Sequence, residues 1–161
     1  MIRTIKIAIA AFIALFCLFY AIQNLMNLQA GHGFVALMAS MADHAAYPRH
    51  FGPPITSPAL VWLMFGLIIA GELLAGGLAA RGAFNMWQAR KSDATAFNAS
   101  KTYAFAACGV AIIVWYGIFH AFGGAYFQMW QTAAGEGPFT HSALFSIQHA
   151  ALWLVLAIKD D

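Results

Sequence analysis

The chain has 161 residues, of which 62% are apolar and 9% charged, with a formal net charge of +2. A soluble domain carries roughly 25% charged and 45–50% apolar residues, so this composition excludes a water-soluble fold. The small net charge and the 15% aromatic content also exclude a disordered chain and a nucleic-acid partner. The charges are unevenly placed: there is no Asp, Glu, Lys or Arg from Ile7 to Ala42, nor from Thr102 to Gly135. The expectation is one integral membrane domain over residues 1–161, surrounded by the lipid bilayer.

About 20 mostly apolar residues cross a ~30 Å hydrocarbon core as a helix. Four segments qualify, at about residues 5–28, 58–80, 102–122 and 139–158. The first follows Arg3 and Lys6, and its apolar run is too long for a signal-peptide core, so it reads as a retained span. Next, Gly33 to Ala42 is apolar but too short to cross, which predicts an interfacial or re-entrant helix within a long loop from Gln29 to Ser57. Pro58 suits the first turn of the second span. Beyond that span the pattern predicts a helical extension near Phe84, a turn at Ser92 and Asp93, and a new helix entered from Asn98. The third span ends near the breakers Gly123 and Gly124. The fourth has Thr140 or Ser142 as its N-cap candidate and stops at Lys159, Asp160 and Asp161. The fold class is all-α: a polytopic bundle of four transmembrane helices with an interfacial segment in its first outer loop.

Orientation follows from the basic residues. With both termini and the segment 81–101 on one side, that side holds Arg3, Lys6, Arg81, Arg90, Lys91, Lys101 and Lys159, against Arg49 alone on the other. The positive-inside rule puts both termini in the cytoplasm. Trp62 and Trp130 near the outer ends, and Trp87 near an inner end, suit aromatic belts.

Polar residues inside the spans are the candidate functional residues. Glu72 lies near the middle of the second span, where a charge costs roughly 2.5–3.5 kcal/mol on insertion scales, so it should face the bundle interior. Gly71, Ala75, Gly76, Gly77 and Ala79 surround it with small residues that let helices approach closely. His149 lies at similar depth in the fourth span and could pair with Glu72. His120, late in the third span, could join His149 as axial ligands of a b-type haem. On the outer side, Met38, Met41 and His44 recur at helical spacing and are weak candidates for a soft metal such as copper, without a closed ligand set. Cys17 and Cys108 read as small apolar residues, and Gln23, Asn24, Asn27 and Gln148 as interhelical hydrogen-bond formers.

The segments Ile55 to Leu60 and Leu67 to Glu72 resemble a bacterial family of predicted small integral membrane proteins, domain-of-unknown-function family twenty-one sixty-five. The resemblance continues through Trp87 to Arg90, Phe97, Asn98, Lys101 and Gly123 to Gln131, and ends at the Lys159 to Asp161 tail. It implies four membrane helices in a bacterial inner membrane and assigns no catalytic residue. The chain departs from the pattern at Ala125, where the family carries Glu. Glu72 matches an acidic position of the pattern.

No nucleophile elbow, phosphate-binding loop, dinucleotide fingerprint or HExxH motif is present. The expected function is therefore that of a non-catalytic membrane protein, an accessory or interaction subunit of a larger membrane assembly, with other membrane subunits or a second copy as partners and no cofactor. Two alternatives remain open: a b-haem or quinone-linked electron carrier using His120 and His149, and proton or small-solute transport dependent on Glu72.

Overall fold

Hydrocarbon offers no hydrogen-bond partners, so a chain this apolar must satisfy its backbone inside its own helices. The computed structural model describes residues 1–161 and builds them from helices and connections, without strands. Helix α1 is Ile2–Met26 and α2 is Leu28–Ser40. Helix α3, Pro58–Gln88, continues into a 3-10 turn at Ala89–Lys91. Helix α4 is Ala94–Ala99, α5 is Thr102–Ile112 prolonged by a π-helical stretch Ile113–Tyr126, and α6 is Glu136–Ala157. Four continuous helical segments are long and apolar enough to cross a membrane: Ile2–Met26, Pro58–Lys91, Ala94–Tyr126 and Glu136–Ala157.

Small side chains hold the spans together. Ala10, Ala14, Cys17 and Ala21 recur at three- and four-residue steps along α1 and are buried, as are Ala75, Gly76 and Ala79 of α3 and Ala104, Ala107, Cys108 and Ala111 of α5. In lipid the packing of such faces replaces the hydrophobic drive that assembles soluble bundles. α1 packs along α3, and α3 along α5. Two glycines permit the closest approaches. A Cβ at Gly76 would meet the Leu18 side chain at 2.6 Å, and one at Gly82 would meet the Ala104 backbone nitrogen at 2.6 Å. Both cysteines are free and buried, in the small-residue role their position implies.

At the end of the bundle that holds both termini, three charged side chains meet inside the protein. Lys6 Nζ lies 2.7 Å and Lys101 Nζ 2.5 Å from Asp160 Oδ2. Lys6 is 3%, Lys101 1% and Asp160 9% exposed. Both ammonium groups also donate to the Ile158 carbonyl, at 2.6 and 2.9 Å. Asn98 completes the clamp: its Oδ1 accepts from Lys101 Nζ and from the Asp160 amide, and its Nδ2 donates to the Asp160 carbonyl. Arg3 donates to the backbone oxygens of Arg90, Ser92 and Asp161 and lies over the Phe97 ring. The tail after α6 is thereby tied to α1 and to the connection between α3 and α5.

The opposite end is closed by α2 and its loop. α2 starts one residue after α1 ends, with Asn27 (φ −124°, ψ 40°) at the break. Its 13 residues extend about 20 Å, too short to cross. It packs on α3 through Val35 against Val61 and Phe65, and through His32 stacked on Trp62. The Gln131 side chain then accepts from the amides of Ala46 and Tyr47, and Tyr126 donates to the Pro53 carbonyl, so the loop is fastened to the bundle.

Several boundaries differ from the sequence reading. The interfacial helix is present but begins at Leu28, five residues before Gly33, directly after the Asn27 break. The helix expected from Asn98 starts at Ala94, where Asp93 caps it by accepting from the Ala96 amide at 2.8 Å. α6 begins at Glu136, so neither Thr140 nor Ser142 is the N-cap. Pro138 lacks only an amide hydrogen that a first turn leaves unused, and Glu136 suits the positive end of the helix. The third span passes Gly123 and Gly124 to reach Tyr126, and its final turns are π-wound.

Removing the shared carboxylate leaves two buried ammonium groups without a counter-charge. Asp160→Asn should destabilise the bundle by about 3–5 kcal/mol in detergent unfolding titrations. Burial alone would raise the Asp160 carboxyl, but hydrogen bonds from Lys101 and Lys6, and their charges, outweigh it and hold it below the usual aspartate value. Its stabilisation is thus fully present above the unfolded value of about 3.9 and is lost as pH falls through the lower folded value. A wild-type melting temperature that drops over that acid window, and a variant lacking this component, are the expected results.

Candidate functional site

The candidate site is a cleft inside the far half of the bundle with Glu72 at its wall. Small neighbours on α3 leave room there, and α1, α3, the π-helical stretch and α6 each supply one side. Glu72 is 2% exposed. Its Oε2 accepts one hydrogen bond, from Asn24 Nδ2 of α1 at 2.9 Å. No cationic side chain pairs with it. The cleft has a volume of about 280 Å³. Tyr20, Asn24, Glu72, His141 and Ser142 are its polar lining, against Trp115, Phe119 and Phe145 on the apolar side. Ser142 donates to the Phe139 carbonyl of its own helix, which leaves the carboxyl as the strongest acceptor facing the space. A site of this kind can bind a cation or a hydrogen-bond donor, or hold a proton.

The structure does not join Glu72 to His149. His149 is buried and uses both ring nitrogens elsewhere. Nδ1 is 2.8 Å from the Phe145 carbonyl, an acceptor, so Nδ1 carries the hydrogen. Nε2 faces Cys17 Sγ at 3.9 Å. The ring is stacked on Trp115 with centroids 5.0 Å apart and flanked by Phe16 at 5.3 Å. The histidine is satisfied by a helix carbonyl and a thiol, and the Glu72 carboxyl by an amide.

A bis-histidine haem does not fit these residues. His120 packs on Phe139 at 4.3 Å, and its Nε2 is buried without a partner. His149 lies ten residues beyond Phe139 along α6, a rise of about 15 Å. The two imidazoles therefore stand at different levels. The copper candidates also separate. α2 ends at Ser40, Met41 turns left-handed at φ 52°, and His44 lies in the loop beyond. Met38 alone stays on the helix, where Thr132 Oγ1 donates to its sulfur at 3.6 Å. No group of three His, Cys, Asp or Glu side chains is placed to hold a metal ion.

Of the amides, Asn24 bridges two helices as expected, and Asn27 donates to the Gln23 carbonyl of its own helix. Gln148 is exposed on α6. The sequence reading missed the Lys6, Lys101 and Asp160 cluster. Its one visible signal was a lysine at the head of each of two apolar runs, with an aspartate just past a third.

Four apolar helical spans around a cleft walled by one buried carboxyl define a small polytopic integral membrane protein. The chain belongs to the family described as predicted small integral membrane protein (DUF2165), which matches residues 2–159. No curated protein and no solved structure matches it.

If the Asn24–Glu72 bond joins α1 to α3 as drawn, Asn24→Leu should cost about 0.6–1.7 kcal/mol, the range of interhelical hydrogen bonds in membranes. A double-mutant cycle with Glu72→Gln, read by unfolding titration, checks the coupling.

Proposed function

We propose that this protein is a non-catalytic accessory subunit of a larger assembly in the bacterial inner membrane, with both termini in the cytoplasm. The observation that carries this reading is an exposed face of α3 that nothing in the fold covers, where small residues leave gaps beside the exposed side chains of Leu73 and Phe84. Gly66, Ala70, Gly77 and Ala80 are exposed and, at 100° per residue, fall within about 80° of one another on the helix. A Cβ at Gly66 or Gly77 would touch nothing, whereas Gly71, Gly76 and Gly82 on the same helix are filled by neighbours. Such a face suits close packing of a further membrane helix. The basic side chains clustered at the terminal end support the orientation.

The test separates assembly from folding. Gly66→Leu and Gly77→Leu should leave the melting temperature of the isolated protein unchanged while a stoichiometric partner is lost from gently solubilised membranes. Gly82→Leu, which strikes the Ala104 backbone, should instead destabilise the protein itself by about 1–3 kcal/mol or more. Recovery of wild type as a lone monomer under every mild extraction would count against the reading.

The cleft favours a second reading, proton or small-solute movement dependent on Glu72, because the carboxyl keeps one hydrogen-bond partner and faces open space. In proteoliposomes, Glu72→Gln should abolish a flux that wild type supports. An unchanged flux would make Glu72 a packing residue.

A further inference from the structure

A larger cleft lies away from Glu72. It has a volume of about 850 Å³ and opens at the terminal end, between the first turn of α1, the 3-10 turn after α3 and the tail after α6. Arg3, Lys6, Arg90, Lys91 and Lys159 line it, against the two carboxylates Asp160 and Asp161. Asp160 is already claimed by Lys6 and Lys101. Arg3, Arg90, Lys91 and Lys159 make no side-chain ion pair. Arg3 is held by backbone oxygens and Arg90 lies over the Trp87 ring and donates to its carbonyl, so Lys91 and Lys159 are the uncommitted cations lining the space, beside the Asp161 carboxylate. Lys91 and Lys159 are exposed. The same cleft has an apolar flank: Ile5 of α1 is 51% and Ile158 after α6 62% exposed.

We infer that this cleft binds the headgroup of an anionic glycerophospholipid, with the phosphate held among Arg90, Lys91 and Lys159 and an acyl chain lying along Ile5 and Ile158. Charge complementarity selects a phosphodiester of net negative charge over a zwitterionic headgroup. The apolar flank selects a lipid over a free phosphate ester, which would leave Ile5 and Ile158 uncovered. The site lies where the helical spans end, at headgroup depth, so a lipid reaches it from the bilayer without leaving its leaflet. Arg3 sets the floor of the cleft, since its guanidinium is fixed by the backbone oxygens of Arg90, Ser92 and Asp161 and by Phe97.

Native mass spectrometry and thermal shift on the full chain in detergent test the inference with three probes: phosphatidylglycerol, phosphatidylcholine and inorganic phosphate. Phosphatidylglycerol should bind at least tenfold more tightly than phosphatidylcholine and raise the melting temperature, and the preference should shrink at high salt. Lys91→Gln with Lys159→Gln, both exposed side chains outside the Asp160 clamp, should weaken phosphatidylglycerol by about thirtyfold, at about fivefold per cation. The double variant should keep the lipid-free melting temperature of wild type. Arg90→Gln alone should give about a fivefold loss, so a fold defect in the double variant would not hide the effect. Equal binding of the two lipids, unchanged affinity in the variants, or a phosphate-alone shift as large as that of phosphatidylglycerol would each overturn the proposal.

Discussion

Two ammonium groups and one carboxylate, brought together out of water, decide how this bundle closes. Lys6 comes from α1, Lys101 from the start of the third span and Asp160 from the tail of the fourth. An unpaired lysine in that place would be costly, and a second lysine without a counter-charge costlier still. The clamp is satisfied throughout: each ammonium also finds the Ile158 carbonyl, and Asn98 takes up the Asp160 backbone on both sides. That fixes the axial register of α1 against α5 and α6, and the small-residue faces of α1, α3 and α5 can then meet without gaps. Lateral fit comes from alanine and glycine, and register comes from charge.

The bilayer makes the spans legible in a sequence. Its thickness imposes a run length, and four such runs coincide with the four long helices of the structure. The second of these helices continues to Lys91 and the third begins at Ala94, well beyond the expected bounds. Helix ends follow weaker, local rules, and there the reading slipped. Asp93 caps a helix that Asn98 had been expected to open, and Glu136 starts one that Thr140 or Ser142 had been expected to cap. The π winding from Ile113 to Tyr126 left no mark that apolar periodicity could show. Pairings across helices depend on rotation and register, which one sequence does not encode locally. Glu72 was recognisable as a residue facing inward, and Asn24 as a hydrogen-bond former. That the two meet, while His149 turns to Cys17 and its own helix carbonyl, emerges only from the packed bundle.

The interior separates its polar groups. Ser142 and Ser146 bond to carbonyls of their own helix, His149 is bracketed by aromatic rings, and Glu72 has one amide. These groups form no continuous hydrogen-bonded chain with one another. What the cleft offers is one carboxyl beside Tyr20, Asn24, His141 and Ser142, facing an aromatic wall of Trp115, Phe119 and Phe145. Asn24 stands one turn before the Asn27 break, so the donor to that acceptor sits close to where α1 hands over to α2.

The ion clamp also has a meaning in time. Lys6 is synthesised ahead of every span that packs against its own, and its partner in the clamp follows 154 positions later. Until the fourth span has been threaded and the tail has returned to the membrane surface, Lys6 and Lys101 must remain hydrated near the headgroups. Closure of the clamp therefore waits on the last segment, because the two ammonium groups meet their carboxylate only once α6 and its tail are in place.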